Sequence, residues 1–184
     1  MLEFAILGLL HESPLHGYEL RKRLNALLGT FRAFSYGSLY PTLRRMKAAG
    51  WIGEDGGGAE TRASRRARVV YRLTAEGKER FAELLAEVGP ATTDEEQFGV
   101  HFAFFAQTDA EIRLRILEGR RRRVEEKRDG LRAVLTRTRE RLDRYTLELQ
   151  EHGLEAVDRE VRWLSELIDN ERREQQAERE DRSR

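Results

Sequence analysis

Ser35-Tyr36-Gly37-Ser38-Leu39-Tyr40-Pro41-Thr42-Leu43-Arg44-Arg45-Met46-Lys47-Ala48-Ala49-Gly50-Trp51-Ile52 is the stretch from which the rest of the chain can be read. Leu39, Leu43 and Met46 fall at i, i+4 and i+7, the spacing of one helical face. Arg44, Arg45 and Lys47 lie off that stripe and can point outward while the stripe is buried. Gly50 is placed to end the helix, since glycine accepts a left-handed backbone without a Cβ clash. Ser35 and Ser38 are candidate N-caps, and Pro41 is expected in the first turn. The spacing predicts a helix over 35–49. Hydroxyls at its start and cations along its outer side suit a DNA major groove, where N–H groups meet phosphate and arginines read guanine or hold the backbone. An ordinary solvated surface helix has the same pattern, so the neighbouring segments decide.

Upstream, Leu2, Ala5, Ile6, Leu9 and Leu10 keep helical spacing and stop before Ser13-Pro14, predicting a buried first helix over about 2–11. Ser13 or His16 opens a second, on which Tyr18, Leu20, Leu24, Leu27 and Leu28 are spaced amphipathically and which Gly29 ends. A connection with Phe31 and Phe34 then leads into the quoted stretch, making a helix-turn-helix. Downstream, Gly53 to Gly58 is turn-rich. Val69, Tyr71 and Leu73 alternate with Val70 and Arg72, a strand period. Two strands joined by a tip bearing Arg62, Arg65, Arg66 and Arg68 form a β-wing, and four arginines within seven residues suit phosphate or minor-groove contact. Thr74 caps a fourth helix with Phe81, Leu84, Leu85 and Val88 as its stripe, and Gly89-Pro90 closes a first domain, residues 1–89.

The order of elements and the words Ile6-Leu7-Gly8-Leu9-Leu10, Pro14-Leu15-His16-Gly17-Tyr18-Glu19-Leu20, Gly37-Ser38-Leu39-Tyr40-Pro41-Thr42-Leu43 and Tyr71-Arg72-Leu73-Thr74-Ala75-Glu76-Gly77 resemble the PadR family of bacterial transcriptional regulators. The resemblance implies a mainly α protein with an N-terminal winged helix-turn-helix and two-stranded β-wing. It implies a homodimer on the double-stranded DNA of a pseudo-palindromic operator, usually as a repressor. It matches Tyr18, Ser35, Tyr36, Ser38, Tyr40, Thr42 and Arg45 to positions that face or support DNA. Tyr18 and Tyr40 have packing between the helices as the alternative, and Leu39, Leu43 and Trp51 are assigned to packing. The wing, Gly56 to Arg68, is longer and more basic than the family's common pattern. A small aromatic effector that releases DNA is a further implication, with Phe98 to Phe105, Tyr145 and Trp163 as pocket candidates and ordinary core as the alternative.

The C-terminal half reads as an α-helical, coiled-coil-like dimerisation domain over 97–180, similar to that of the larger PadR subfamily. Phe98, Val100, Phe102, Phe104 and Phe105 predict a short buried helix between the domains. Thr108 with Glu111 reads as a capping box opening a long helix. Val124, Leu131, Leu135, Thr138, Leu142, Tyr145 and Leu149 follow at 7, 4, 3, 4, 3 and 4, a heptad seam. His152-Gly153 is read as the break, after which Leu154, Val157, Val161, Leu164 and Ile168 resume at 3, 4, 3 and 4. Arg120 to Arg123, flanked by glutamates, read as a solvated face, and the charged tail beyond Asp169 is expected to fray. The seam predicts a homodimer.

Composition bounds the alternatives. Of 184 residues, 36% are charged with a net charge of +1. Residues 1–89 hold 14 Lys/Arg against 10 Asp/Glu, net +4, and residues 90–184 hold 20 against 23, net −3, so the basic excess lies with the helix-turn-helix. No cysteine is present, which fits a reducing cytoplasm and excludes thiolate chemistry. The apolar run Phe4 to Leu10 is too short for a membrane span and lacks the flanks of a signal peptide. His11-Glu12 followed by His16 misses the zinc-protease spacing, and Gly56-Gly57-Gly58 lacks the Gly-Lys-Ser/Thr ending of a phosphate loop. The expectation is therefore no enzyme, no metal and no cofactor. The competing reading is a winged-helix, coiled-coil adaptor that binds protein without specific DNA recognition.

Overall fold

The computed structural model describes residues 1–28, 36–55 and 69–182. In chain order the elements are α1 (Leu2–Glu12), β1 (Leu15–His16), α2 (Gly17–Leu28), α3 (Tyr36–Ala48), β2 (Ile52–Asp55), β3 (Val70–Leu73), α4 (Ala75–Ala86), α5 (Glu95–Ala103), α6 (Ala110–Thr138) and α7 (Arg144–Arg182). Short 3₁₀ turns at Ala91–Thr93, Phe105–Gln107 and Arg139–Arg141 punctuate the second half. The chain divides into two compact units, one of Met1–Glu87 with Glu95–Thr108, the other of Val88–Asp94 with Asp109–Arg184.

The first unit is a winged helix-turn-helix built around α1. Every residue from Phe4 to Leu10 is buried, because α1 is covered on more than one side. Leu20 and Leu24 of α2, Leu39, Leu43 and Met46 of α3, Ile52, Tyr71 and Phe81 join it in one apolar core. At roughly 2 kcal/mol for each large side chain removed from water, this core is the unit's main source of stability. Phe104 packs on Phe4 and Phe81 with ring centroids 5.4 and 5.6 Å away. The aromatic segment after residue 97 thus belongs to the core of the first unit. Gly8 is where Phe104 enters: a Cβ there would lie 2.2 Å from the ring.

The sheet has three strands in the order β1-β3-β2, all antiparallel. The predicted pair is β2 and β3, running from Ile52↔Leu73 to Asp55↔Val70. The third strand, Leu15↔Tyr71 and His16↔Val70, corrects the assignment of residue 16 to a helix start. Two residues are too few to show a period, and Pro14 biases the chain before them toward extended backbone. The wing tip and the helix-turn-helix connection with Phe31 and Phe34 lie outside the described residues.

The second unit is an antiparallel hairpin of α6 and α7. Ile116, Leu117, Val124, Val157, Val161, Leu164 and Ile168 are buried along its seam. Ion pairs flank the seam: Arg113–Glu171 at 2.9 Å, Arg132–Asp158 at 2.8 Å and Arg172–Glu118 at 2.7 Å. The break between the helices is at residues 139–143, and α7 runs unbroken through His152-Gly153. Asp143 explains the position: its carboxylate accepts from the Tyr145 and Thr146 amides and the Thr146 hydroxyl, a complete N-cap. Those bonds, led by the Thr146 hydroxyl, hold the Asp143 pKa below the usual carboxylate range. Helix α7 also continues to Arg182 through the charged tail expected to fray. The cap of α6 is Asp109, which accepts from the Glu111 amide, while the Thr108 hydroxyl turns back to the Phe104 carbonyl.

These placements sort the predicted dimerisation residues. Val124, Val157, Val161, Leu164 and Ile168 are buried inside the hairpin of one chain. Leu131, Leu135, Leu142 and Leu154 are half-buried at its edges, and Tyr145 and Leu149 are 82% and 67% exposed. The heptad reading ran the seam straight through the 139–143 turn. Beyond that turn Tyr145 and Leu149 fall off the inward face of α7. Among the described residues, no helix is long and apolar enough to cross a membrane, and no group of three or more His, Asp or Glu side chains could hold a metal.

Candidate nucleic-acid interface

Helix α3 is fixed from behind. Leu39, Leu43 and Met46 are buried, and the helix ends in a double turn: the Trp51 amide donates to the Met46 carbonyl at 2.9 Å and Gly50 to Lys47 at 3.0 Å. Gly50 has φ of 77°, the left-handed conformation this motif requires. The next link is Thr74, whose amide donates to the Trp51 carbonyl and whose hydroxyl donates to the Gly50 carbonyl. The same hydroxyl oxygen accepts from the Gly77 amide at 3.0 Å as the N-cap of α4. Gly77 sits so close that a Cβ would lie 2.0 Å from the Trp51 carbonyl oxygen. One knot of backbone bonds therefore locks the end of α3, the start of β2 and the start of α4.

Pro41 lies in the second turn of α3, because the helix already begins at Tyr36. It therefore forfeits the bond from residue 41 to the Gly37 carbonyl, a loss moderated by the exposure of Gly37. Of the residues expected to face DNA, Ser38, Arg44, Arg45 and Lys47 are exposed on α3, and Tyr40 is 40% exposed. Thr42 is buried at 5% exposure, so it supports the helix from the core side and does not present its hydroxyl outward. Tyr18 on α2 is 62% exposed, with the Arg21 guanidinium 5.1 Å from its ring centroid. The packing alternative for Tyr18 has no burial behind it. Ser35, Arg62, Arg65, Arg66 and Arg68 lie outside the described residues, and Tyr36 opens α3.

The cations differ in what they are doing. The Arg45 guanidinium donates to Glu3 of α1 at 2.8 Å. The Lys47 ammonium pairs with Glu54 of β2. Arg44 is exposed and makes no ion pair or hydrogen bond among the described residues. Nothing in the local sequence announces Glu3 or Glu54 as partners, because both contacts depend on how α1 and β2 are brought beside α3. Glu54 also acts on Tyr71, whose hydroxyl pKa is pushed up by burial first, then by the Glu54 charge and by Tyr40.

The pocket candidates separate. Phe98, Phe104 and Phe105 are buried in the first unit, where Phe98 stacks on Phe102 at 5.7 Å and Phe102 meets Phe105 at 5.0 Å. Tyr145 and Trp163 are exposed side chains of the second unit. His101, on α5, is buried at 4% exposure against the Phe4 ring, 4.7 Å between centroids. Its Nδ1 has no hydrogen-bond partner among the described residues. Burial, reinforced by the N-terminal ammonium, lowers its pKa to about 4.

Residues 6–83 match the transcriptional regulator PadR-like family. None of the curated proteins matches the chain. Among solved structures, the chain is similar to Bacillus subtilis PadR in complex with operator DNA, at 20% identity over 92% of this chain and 98% of that one, TM-score 0.44. It is similar to smu.1604c of Streptococcus mutans at 24% identity over 91% and 98%, TM-score 0.43. It is also similar to the Vibrio cholerae virulence activator AphA at 18% identity over 92% and 97%, TM-score 0.40. Likeness at this level describes those proteins and assigns no ligand or partner to this chain.

Proposed function

With residues 6–83 a domain of the transcriptional regulator PadR-like family, we propose that the chain is a sequence-specific DNA-binding regulator that acts as a homodimer, with α3 as its recognition helix. The observation that carries the reading is the outer face of α3. A helix anchored through Leu39, Leu43 and Met46 exposes Ser38, Tyr40 and Arg44, the last with no ion pair among the described residues, and Tyr18 on α2 is exposed as well. In this reading Arg44 reaches a base edge, since a bidentate guanidinium contact to guanine discriminates by roughly 1–3 kcal/mol. Arg45 and Lys47, already paired with carboxylates, hold the helix and exchange those partners for phosphate on docking. The arginines at 62, 65, 66 and 68 add phosphate or minor-groove contacts in the same scheme. Repression, a cytoplasmic location and release by a small aromatic effector enter the reading through the family.

The dimer is supported by a second apolar stripe on α7. Tyr145, Leu149, Ala156, Trp163 and Leu167 are spaced 4, 7, 7 and 4 and lie along one side of the helix, away from the hairpin seam. Tyr145, Leu149 and Trp163 remain 82%, 67% and 40% exposed. A two-fold axis that pairs this stripe with itself buries it and supplies two copies of α3, which an operator with half-sites about one helical turn, ~34 Å, apart requires.

The test is a fluorescence-anisotropy titration of duplex DNA taken from immediately upstream of the protein's own gene, beside a scrambled duplex, at two salt concentrations. Selective binding of two protomers per site with a steep salt dependence is the expected result. Absence of binding at low salt would contradict the reading and favour the adaptor.

A further inference from the structure

The second unit contains a groove of about 420 Å³ along the N-terminal half of α6, lined by Val88, Gly89 and Pro90 on one side and Arg115, Gly119 and Arg122 on the other. Arg115, Gly119 and Arg122 fall at i, i+4 and i+7 and therefore share one face of the helix. Gly119 lets the chain pass close: a Cβ there would lie 2.7 Å from the Thr93 methyl.

The wall opposite α6 is held by two arginines of that same helix. Arg120 is buried, with Nε and Nη2 donating to one Glu160 oxygen at 2.9 and 2.6 Å and Nη1 donating to the Thr93 carbonyl at 3.2 Å. Arg123 pairs with Asp94 at 2.5 Å. The other two arginines are uncommitted. Arg115 and Arg122 line the groove and have neither an ion pair nor a hydrogen bond among the described residues. Among the described residues Glu126 is the one carboxylate on the lining, a turn beyond Arg122, so the uncommitted charge there remains positive.

We propose that this groove binds a small phosphate monoester. The phosphate lies in the groove between the Arg115 and Arg122 guanidiniums, and the organic body lies along Val88 and Pro90. Seven residues separate the two arginines by about 10 Å along the helix. Their long side chains can close on one anion from two directions across the groove they both line. Two guanidinium forks offer more donors than the two oxygens of a carboxylate use. A phosphate brings three terminal oxygens and a charge of roughly −1.5 to −2. The groove is also within the size range of small-molecule sites and larger than a bare phosphate fills. This site is independent of the DNA reading, because all of its residues lie in the second unit.

The experiment is isothermal titration calorimetry of the full chain with phenyl phosphate, benzoate and inorganic phosphate in parallel. One saturable phenyl phosphate site per chain is expected, with benzoate and inorganic phosphate each weaker. Arg115→Gln and Arg122→Gln should each weaken phenyl phosphate on the order of tenfold, the loss of one charge-assisted contact. Both arginines are exposed, so the variants should melt like the parent by circular dichroism. Arg137→Gln, an exposed arginine elsewhere on α6, should bind like the parent. No saturable binding at millimolar phenyl phosphate, or unchanged binding in both glutamine variants, would overturn the proposal. Equal affinity for benzoate would overturn the phosphate assignment, and equal affinity for inorganic phosphate would overturn the place given to the organic body.

Discussion

The two units of this chain are held together by different physics. The first buries Phe4 to Leu10 of α1 and gathers Phe4, Phe81 and Phe104 into one aromatic cluster, so its stability comes from close packing around a few points. The second is a two-helix hairpin with a narrow apolar seam, a border of ion pairs, and aromatic and aliphatic side chains left on its surface. A finished core can present a rigid reading surface to DNA. An unfinished one has apolar area left over for a partner chain. The contrast predicts that substitutions in the first unit act on folding, whereas substitutions on α7 act on association.

The largest effect is expected at the tightest packing point. Gly8→Leu must displace Phe104 from the core and should cost more than about 3 kcal/mol, read as loss of the cooperative melting transition or a drop in Tm of ten degrees or more. Trimming the partner ring instead, with Phe104→Ala, should cost about 3–5 kcal/mol through the cavity it leaves. Next is the α7 stripe. Tyr145→Glu with Leu149→Glu should raise the dimer dissociation constant by about two orders of magnitude in analytical ultracentrifugation while leaving helix content intact. A variant that stays dimeric would place the interface elsewhere.

Arg120 tests how far the hairpin depends on ionic contacts. Arg120→Ala removes three hydrogen bonds and leaves Glu160 without its partner, so a loss of about 2–3 kcal/mol is expected in urea unfolding. A loss similar to that of an exposed arginine would mean the clamp adds little. The smallest of these effects concerns pH. His101 is held neutral in the core with its pKa at about 4, below the unfolded value near 6.5. Its contribution is therefore complete above about pH 6.5 and is lost as pH falls toward 4. It amounts to on the order of 2 kcal/mol between pH 8 and pH 5. His101→Phe should flatten that part of the stability profile, and an unchanged profile would assign the acid sensitivity to other groups.

Much of the first unit was legible in the sequence because its signals are local. The Leu39, Leu43 and Met46 spacing, the glycine after the helix and the threonine cap at residue 74 each act within a few residues. What was not legible depends on distant partners. Gly8 and Gly77 are glycines because Phe104 and the Trp51 carbonyl arrive from elsewhere in the chain. The pairing of Arg45 with Glu3 has the same origin, and so does the two-residue strand at Leu15, which exists only against β3. In the second unit the apolar spacing was read correctly in kind and wrongly in continuity. Leucine periodicity passes through the 139–143 turn, and the stop lies in the polar word Asp143-Arg144-Tyr145-Thr146, a cap signal that the periodicity outweighed. Arg120, read with its basic neighbours as a solvated face, is instead buried, because a guanidinium with a carboxylate and a carbonyl in reach is satisfied inside.

The central claim is that α3 reads DNA through Arg44 while the paired Arg45 and Lys47 position it. The most direct measurement compares the parent protein and Arg44→Ala by anisotropy on the upstream duplex and on its scrambled counterpart at the same salt. The account predicts that Arg44→Ala loses about tenfold or more on the upstream duplex and little on the scrambled one, so that discrimination collapses. Equal losses on both duplexes, or none on either, would contradict it.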